Sequence, residues 1–261
     1  MNNILGQIVT NKRREVEALK ALVPEALVVK AAEGASYDTV SLRQALTDSP
    51  TGIIAECKRR SPSKGEIHPK ADVSAVVAGY AANGAAACSV LTDTVYFGGS
   101  LADLAVARSV VSLPLLRKDF IVSAYQIYQA RACGADAVLL IAAVLSTDEI
   151  RRFTLVAHQL GLEVLLELHD ETEFYKYTPE VDVVGVNNRN LTTFVTDTAV
   201  SLRMAKVLPA DAVKVAESGL RTMADVEALR SAGYSGFLIG ETFMKTADPG
   251  SALKEFINGI G

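Results

Sequence analysis

The stretch IIAECKRRSPSKGEI (residues 53–67) begins as a buried β-strand and ends in a basic, polar loop. Its first three residues are apolar, whereas Glu56 and Lys58 follow at positions two apart. Residues i and i+2 of a strand point to the same face, so this acid and this base share one face of an otherwise apolar strand. The pattern predicts a strand whose carboxyl end carries part of a polar site.

Further runs of the same kind follow, and helix-like segments separate them. Nearly continuous hydrophobicity is typical of parallel strands that are covered on both faces. Alternating strands and helices predict a parallel sheet, and eight such units favour a closed (β/α)8 TIM barrel over an open sheet. No G-x-G-x-x-G motif follows the first strand, which also weighs against a dinucleotide-binding fold. The predicted strands are IIAECK (53–58), AACSVLT (86–92), LPLLRKDF (113–120), DAVLLIA (136–142), EVLLELH (163–169), VDVVGVN (181–187), AVKVAES (212–218) and GFLIGE (236–241).

The intervening segments carry helix caps, because several begin with Ser, Thr or Asp and end in Gly. Residues 1–48 precede the first strand and contain amphipathic runs such as ILGQIVTNKRREVEALKAL (4–22). We expect this N-terminal helical extension to cover one end of the barrel. No linker separates it from the predicted barrel at 53–258, so residues 1–261 are predicted to form a single domain.

The composition of the chain excludes several classes of protein. Hydrophobic residues make up 49% of the 261 residues, enough for a sizeable core, and the formal net charge of −4 disfavours a nucleic-acid binder. Cys57, Cys88 and Cys133 are widely spaced, so we expect neither a disulfide framework nor a metal site. The N-terminus becomes charged too early for a secretory signal, and the longest apolar run (137–145) falls well short of the roughly 20 residues of a membrane span. We therefore expect a cytoplasmic protein that binds no membrane.

Polar side chains recur at the carboxyl ends of other predicted strands, where the catalytic groups of (β/α)8 barrels collect. A single polar residue at a strand end usually belongs to the solvent-exposed rim of the barrel. Buried unpaired charges cost several kcal/mol, however, so a convergent set must be paired internally or with a ligand. A purely structural ion-pair plug remains an open alternative. The residues that the parity rule places at this end are Lys118, Glu167, Asn187, Arg189 and Glu217.

The loops after the seventh and eighth strands are candidates for binding phosphate. Barrels often hold a phosphate there, and glycine lets backbone N–H groups approach an anion closely. Glycine after one strand is only a turn signal, but glycine after both strands predicts a phosphate site. The candidates are Ser218 and Gly219 in ESGLR (217–221), Gly240 and Glu241 in IGETFMK (239–245), and Ser61 in the first loop.

The chain resembles the indole-3-glycerol phosphate synthase family of tryptophan biosynthesis in the segments IIAECKRRSPSKGEI, SVLTDTVYFGGS, LLRKDFIV, LLELHD, GVNNRNL, VAESGL and FLIGETFM. The resemblance covers essentially the whole chain, and its E-x-K-x-x-S-P-S signature is highly specific. It implies a (β/α)8 barrel that acts as a carboxy-lyase on 1-(o-carboxyphenylamino)-1-deoxyribulose 5-phosphate, giving indole-3-glycerol phosphate, CO2 and water. It further implies a phosphorylated small-molecule substrate, no metal or organic cofactor, and no obligatory protein partner.

The resemblance also implies roles for individual residues. Lys118 would be the general acid that protonates the substrate carbonyl, and Glu167 the acid/base partner for dehydration. Lys58 would pair with the substrate carboxylate, and it is also a candidate acid in the dehydration step. Glu56, Asn187, Arg189 and Glu217 would position the lysines and the substrate. The phosphate would be held by Ser61, Ser218, Gly219, Gly240 and the Glu241 backbone, and the aromatic ring would be flanked by Phe97 and Phe120.

Two other functions remain open on the sequence. Phosphoribosylanthranilate isomerase is a barrel with a similar phosphate site, but its chemistry would rely on a cysteine and an aspartate. Cys57 has the wrong parity for that role, and the fourth strand ends without an acid. A non-catalytic phosphate-ligand binder would be expected to have lost Lys118 or Glu167, and both are present.

Three residues near these motifs are left outside the predicted site. Arg59 and Lys64 lie in the first loop and are interpreted as solvated surface. His169 shares the inward face of Glu167 but shows no metal-ligand spacing. Which lysine acts at each step also stays open, because neighbouring cations lower a lysine pKa whereas glutamates raise it.

Overall fold

Parallel strands form a closed barrel of eight, in which the last strand pairs with the first. The predicted (β/α)8 class is confirmed. The computed structural model describes residues 4–191 and 193–259, so the ends of the predicted 1–261 domain lie outside the described residues. The barrel strands are β1 (Ile53–Cys57), β2 (Ala87–Leu91), β3 (Leu115–Lys118), β4 (Ala137–Ile141), β5 (Glu163–Leu168), β6 (Val183–Asn187), β7 (Lys214–Glu217) and β8 (Gly236–Ile239).

Helices alternate with the strands around the barrel. A small antiparallel hairpin, Arg60–Ser61 with Gly65–Glu66, forms in the loop after β1, and a 3-10 helix, Glu171–Lys176, follows β5. None of the helices in the described part of the chain is long and apolar enough to cross a lipid bilayer. The helices are α1 (Ile4–Leu22), α2 (Glu25–Glu33), α3 (Leu42–Asp48), α4 (Val73–Ala82), α5 (Thr94–Phe97), α6 (Leu101–Val110), α7 (Ala124–Ala132), α8 (Thr147–Gln159), α9 (Ala199–Met204), α10 (Met223–Ser231), α11 (Glu241–Met244) and α12 (Pro249–Ile257).

The predicted helix caps are present. At four of the helices between barrel strands, for example, the capping side chain accepts a hydrogen bond from a backbone N–H of the first turn, which satisfies a group that the helix itself leaves unpaired. After α7 the chain turns through Gly134 at a φ of 95°, a conformation that favours glycine. The capping residues are Asp72 for α4, Ser123 for α7, Ser146 for α8 and Thr222 for α10.

Alternate residues of each strand face either the barrel interior or the surrounding helices. Ile54 of β1 packs inside the barrel in one cluster with Leu116 of β3 and Leu165 of β5. Cys57 instead belongs to the cluster between the sheet and the helices. The parity assigned from the sequence is therefore confirmed, with Glu56 turned inward and Cys57 outward.

The N-terminal extension reaches both ends of the barrel rather than the single end expected. Leu42 and Leu46 of α3 pack in the interior cluster together with Ala87, the first residue of β2. At the opposite end, Ile4 and Ile8 of α1 line a cavity at the carboxyl ends of the strands. Amphipathic periodicity shows that a helix packs against something, but it does not show which surface that is.

Candidate active site

A cavity of about 690 Å³ opens at the carboxyl ends of the barrel strands. The structure brings every residue of the predicted site to the lining of this cavity. The candidates for catalysis stand at the ends of five strands, and the substrate-binding candidates lie in the adjoining loops. The catalytic candidates are Glu56 and Lys58 (β1), Lys118 (β3), Glu167 (β5), Asn187 (β6) and Glu217 (β7).

Lys118 lies at the centre of a buried charge cluster. Its Nζ is 3.1 Å from Glu217 Oε2 and donates a hydrogen bond of 3.3 Å to Glu167 Oε2. Burial alone would lower the pKa of Lys118, but the negative charges of Glu217, Glu167 and Glu56 outweigh burial and raise that pKa. The balance left open by the sequence therefore favours a firmly protonated ammonium group.

Glu167 and Glu217 share this one ammonium group but differ in proton affinity. Burial raises the pKa of Glu217 to about 8, opposed by the charge of Lys118 and reinforced by that of Glu167. Burial would also raise the pKa of Glu167, but Lys118, His169 and a hydrogen bond from Asn187 stabilise its carboxylate and lower the pKa. The cluster thus gives Glu217 a higher proton affinity than Glu167.

Two glycines make room for the buried glutamates. A Cβ on Gly185 of β6 would lie 2.4 Å from Glu217 Oε1 and 2.7 Å from Leu165 Cδ2. A Cβ on Gly240 would lie 2.5 Å from Glu56 Oε1. Gly185 was not predicted as part of the site. The signal that could have revealed it is its parity, since it shares the inward face of Asn187.

Glu56 and Lys58 form the pair that the first strand predicts. Lys58 Nζ donates a hydrogen bond of 2.6 Å to Glu56 Oε1. Burial would raise the pKa of Glu56, but the charges of Lys58 and Lys118 outweigh burial and lower it. The side chain of Lys58 is 16% exposed and borders the cavity, so its ammonium group can also meet an anionic ligand.

His169 is closely connected to the cluster, although the sequence interpretation left it out. Its Nε2 lies 3.1 Å from Glu167 Oε1, and its Nδ1 lies 3.4 Å from Glu173 Oε2. Burial would lower the pKa of His169, but Glu167 and Glu173 together raise it to about 10. The available signal was the spacing E-x-H-x-x-x-E over residues 167–173, which places acids on both sides of the ring.

The loop after β7 has two consecutive residues in left-handed backbone conformations. Ser218 has a φ of 68° and Gly219 a φ of 82°. A Cβ on Gly219 would lie 2.6 Å from Thr196 Cγ2, so glycine is required there. A left-handed non-glycine residue such as Ser218 costs roughly 1–3 kcal/mol, and such strain collects at ligand sites. Both residues border the cavity, as does Gly240, from which α11 begins.

Arg189 and Glu241 form a polar rim on the cavity. Arg189 Nη2 lies 3.5 Å from Glu241 Oε2, and its Nη1 donates a hydrogen bond to Ser63 Oγ. Lys64 Nζ lies 3.2 Å from Glu241 Oε1, and the Lys64 side chain remains 49% exposed. Lys64 is exposed, as the sequence interpretation has it, but it also borders the cavity.

The interpretation of Arg59 as solvated surface was wrong. Its Nη1 lies 2.7 Å from Asp103 Oδ2, and its Nη2 donates a hydrogen bond of 2.9 Å to Asp103 Oδ1. The partner is 44 residues away along the chain, so no local pattern reveals it. This pair joins the loop after β1 to helix α6.

Aromatic and aliphatic side chains form one wall of the cavity. The rings of Phe97 and Phe120 have centroids 6.0 Å apart and planes inclined at 39°. Ile4 and Ile8 of α1 also line the cavity, a contribution that the sequence did not predict. An aromatic ligand group fits such a wall.

The arrangement is suited to proton transfer on an anionic, partly aromatic molecule. It combines a buried ammonium group, two carboxyl groups of different proton affinity, a second lysine at the surface of the cavity and glycine-rich loops. Within residues 4–191 and 193–259, no group of three or more His, Cys, Asp or Glu side chains is arranged to hold a metal ion.

Solved structures with the same fold include enzymes of low sequence identity. Thiamine phosphate pyrophosphorylase from Pyrococcus furiosus aligns with a TM-score of 0.60 and 14% identity over 84% of this chain and 98% of its own. A chain of the tryptophan synthase a2b2 complex from the same organism aligns with a TM-score of 0.58 and 13% identity over 80% of this chain and 97% of its own. At these identities the similarity supports the fold alone.

Sequence comparison is far more specific. The family model for indole-3-glycerol phosphate synthase matches residues 5–256. The indole-3-glycerol phosphate synthase of Bacteroides thetaiotaomicron is 49% identical over 262 residues, covering 100% of both chains. Those of Neisseria meningitidis serogroup B and Burkholderia vietnamiensis are 49% and 45% identical, covering 95% and 97% of this chain and 96% and 98% of their own. The chain belongs to the indole-3-glycerol phosphate synthase family.

Proposed function

We propose that this barrel converts 1-(o-carboxyphenylamino)-1-deoxyribulose 5-phosphate to indole-3-glycerol phosphate, CO2 and water. Family membership makes the chain a carboxy-lyase of tryptophan biosynthesis. The observation that carries the proposal at the level of the site is the Lys118 ammonium group, held between two buried glutamates beside an aromatic wall.

The cavity offers a separate contact for each part of this substrate. The phosphate would lie at Ser61 and the loops of Ser218–Gly219 and Gly240–Glu241, whose backbone is free of bulky side chains at the glycines. The anthranilate ring would lie against Phe97 and Phe120. Its carboxylate would meet Lys58, whose Nζ already donates to an acidic group at 2.6 Å. Arg189 would orient the substrate from the rim.

In ring closure, Lys118 would donate a proton to the carbonyl oxygen while the ring carbon that bears the carboxylate attacks the carbonyl carbon. The new C–C bond leaves positive charge on the anilino part, which the carboxylates of Glu56 and Glu167 stabilise. Loss of CO2 then returns the bonding electrons to the ring. Glu217, whose Oε2 lies 3.1 Å from Lys118 Nζ and whose pKa is raised, would return a proton to that lysine.

Dehydration requires an acid at the new hydroxyl group and a base at the ring. Glu167 would accept the proton that leaves nitrogen or the adjacent carbon, and a lysine would protonate the departing hydroxyl as water. General acid–base steps of this kind contribute factors of about 10² to 10⁴ each. Asn187, which donates a hydrogen bond to Glu167, would hold this carboxylate in place.

Three predictions about the wider context remain. We expect a small phosphorylated substrate to be sufficient, without nucleic acid, membrane or an obligatory protein partner, and we expect a cytoplasmic location for a biosynthetic enzyme of this kind. Residues 1–261 are expected to act as one domain.

The isomerase alternative is disfavoured, because Cys57 packs outward and burial raises its pKa to about 12.

The decisive experiment offers each of two substrates separately to the purified chain. Formation of indole-3-glycerol phosphate is followed by fluorescence, and turnover of phosphoribosylanthranilate is followed by its consumption. We expect turnover with the carboxyphenylamino substrate and none with phosphoribosylanthranilate. Tight binding of the first substrate without turnover would indicate a non-catalytic binder. Turnover of the second substrate alone would indicate the isomerase.

A further inference from the structure

The carboxylate of Glu167 lies between two cations. Its Oε2 accepts a hydrogen bond of 3.3 Å from Lys118 Nζ, and its Oε1 lies 3.1 Å from His169 Nε2. Glu217, the other carboxyl group at Lys118, has no such second partner among the ion pairs of the described residues. The two acids that compete for one ammonium group are therefore not equivalent.

His169 is itself fixed from its far side. Its Nδ1 lies 3.4 Å from Glu173 Oε2, and the same oxygen accepts a hydrogen bond of 2.8 Å from the His169 backbone N–H. The side chains of His169 and Glu173 are 11% and 17% exposed. Glu173 comes from the 3-10 helix after β5, so the strand end and the following turn hold the ring together.

The charged groups facing this imidazole all favour its cationic form. Glu167 comes from its own strand and Glu173 from the following turn, while Lys118 of β3 lies across the Glu167 carboxylate rather than against the ring. The ring also stays outside the lining of the cavity. It therefore reaches the reaction only through Glu167.

We propose that His169 is a positioning residue, whose imidazolium group fixes the carboxylate of Glu167 against Lys118. This inference rests on the proposed function, because it assigns Glu167 the role of base and Glu217 that of proton reserve. Without the imidazolium, Glu167 would lose one of the groups that hold it and would keep its contacts with Lys118 and Asn187. The two buried carboxyl groups would then compete more equally for Lys118.

The first test is the variant His169→Gln, which removes the charge but keeps a polar side chain. We expect kcat to fall about 10- to 100-fold while KM stays within about threefold. The acidic limb of the kcat profile should move to higher pH, because burial of Glu167 is no longer opposed by the imidazolium. Glu173→Gln should move the limb the same way by a smaller amount.

The matched control is His158→Gln. His158 Nε2 lies 2.9 Å from Asp182 Oδ2, but this pair is on the outside of the barrel and His158 is 38% exposed. This variant should keep the wild-type kcat and pH profile. A purely structural role for His169 would lower the thermal unfolding temperature without moving the acidic limb, and that result would overturn the proposal.

A measurement without turnover separates this inference from the proposed function. A carbon-13 NMR titration of the Glu167 carboxyl carbon in the unliganded protein should show a higher pKa in His169→Gln than in the wild type. An unchanged Glu167 pKa would overturn the proposal even if the enzyme is active, and a raised pKa would support it even if the assayed substrate is not turned over. If His169→Gln does not fold, the same titration on Glu173→Gln decides.

Discussion

Lys118 Nζ and Glu217 Oε2 lie 3.1 Å apart in the lining of the cavity, and the Glu217 side chain is only 1% exposed. A buried lysine and glutamate at this distance would ordinarily both be charged. Here burial raises the pKa of Glu217 to about 8. The negative charge of the second carboxylate, Glu167, adds to this increase and offsets part of the stabilisation that Lys118 provides. The barrel thus holds an acid of raised pKa beside its buried ammonium group.

The raised pKa of Glu217 makes stability depend on pH. Between about pH 4.5 and about pH 8, Glu217 keeps its proton in the folded state and loses it on unfolding. The contribution of Glu217 to the free energy of unfolding is fully present below about pH 4.5. It falls by at most about 1.4 kcal/mol per pH unit as the pH rises, and it is lost as the pH passes about 8. We expect wild type to lose stability across this range relative to Glu217→Gln, which cannot titrate.

Urea unfolding of both proteins at several pH values measures this difference. Glu255→Gln, at an exposed position of α12, serves as the control and should follow wild type at every pH. A wild-type free energy of unfolding that runs parallel to that of Glu217→Gln would contradict the raised pKa.

Lys118→Met should abolish turnover while leaving ligand binding largely intact. Methionine keeps the length of the side chain but removes the proton donor, which is expected to cost at least about 10²-fold in kcat. The proposed contacts to phosphate and carboxylate lie elsewhere in the cavity. Steady-state kinetics and calorimetric binding of indole-3-glycerol phosphate measure the two effects separately.

The exposed Lys254→Met of α12 is the matched control and should retain wild-type kcat. Unchanged turnover in Lys118→Met would remove this lysine from the mechanism. Loss of product binding to the same extent as turnover would instead assign it a binding role.

Lys58→Ala should weaken binding of the carboxylated substrate more than binding of inorganic phosphate. Lys58 borders the cavity and is the cation we assign to the substrate carboxylate. Removing it also leaves Glu56 without its 2.6 Å partner, and breaking a buried pair costs about 3–5 kcal/mol. Calorimetry with a carboxylated substrate analogue and with phosphate measures the two affinities.

The double variant Lys58→Met with Glu56→Gln separates charge loss from instability, because neither partner is left buried and charged. We expect the unfolding temperature of the double variant to be closer to that of wild type than the unfolding temperature of Lys58→Ala is. We also expect the double variant to have lost, like Lys58→Ala, most of the wild-type preference for the carboxylated ligand over phosphate. Equal losses for both ligands in both variants would contradict the role of Lys58.

Much of this site could be predicted because strand periodicity is local. The alternation of residues along one strand is enough to turn Glu56, Lys118 and Glu167 inward, and a parallel barrel necessarily gathers the strand ends. Side-chain partners distant in sequence could not be predicted in this way. Asp103 meets Arg59 across 44 residues, and the place of Gly185 depends on a glutamate from the next strand.

The N-terminal extension shows the same limit most clearly. Its amphipathic pattern predicts helices but does not reveal that Lys12 is buried, with 1% exposure. A lysine on the polar face of a predicted helix is ordinarily interpreted as exposed to solvent. Its burial follows only from two acids that the folded barrel presents to α1.

Lys12 is therefore the residue through which α1 can be tested. Its Nζ lies 2.9 Å from Asp93 Oδ2 and 3.1 Å from Asp119 Oδ1. Burial alone would lower the pKa of Lys12, but Asp119 and Asp93 outweigh burial and raise it. Asp119 directly follows Lys118, so this ion pair joins α1 to the strand that carries the proposed acid.

Lys12→Met should destabilise the protein by about 3–5 kcal/mol, because it leaves two acids buried without this cation. It should also raise hydrogen exchange along α1 and lower kcat/KM, since Ile4 and Ile8 of that helix line the cavity. The control is Lys20→Met on the same helix. Lys20 makes a 3.2 Å surface pair with Glu17, which is 73% exposed, so its loss should cost at most about 1 kcal/mol and leave kcat/KM unchanged. Equal effects of the two substitutions on stability and on α1 exchange would show that the buried cluster does not hold this helix over the site.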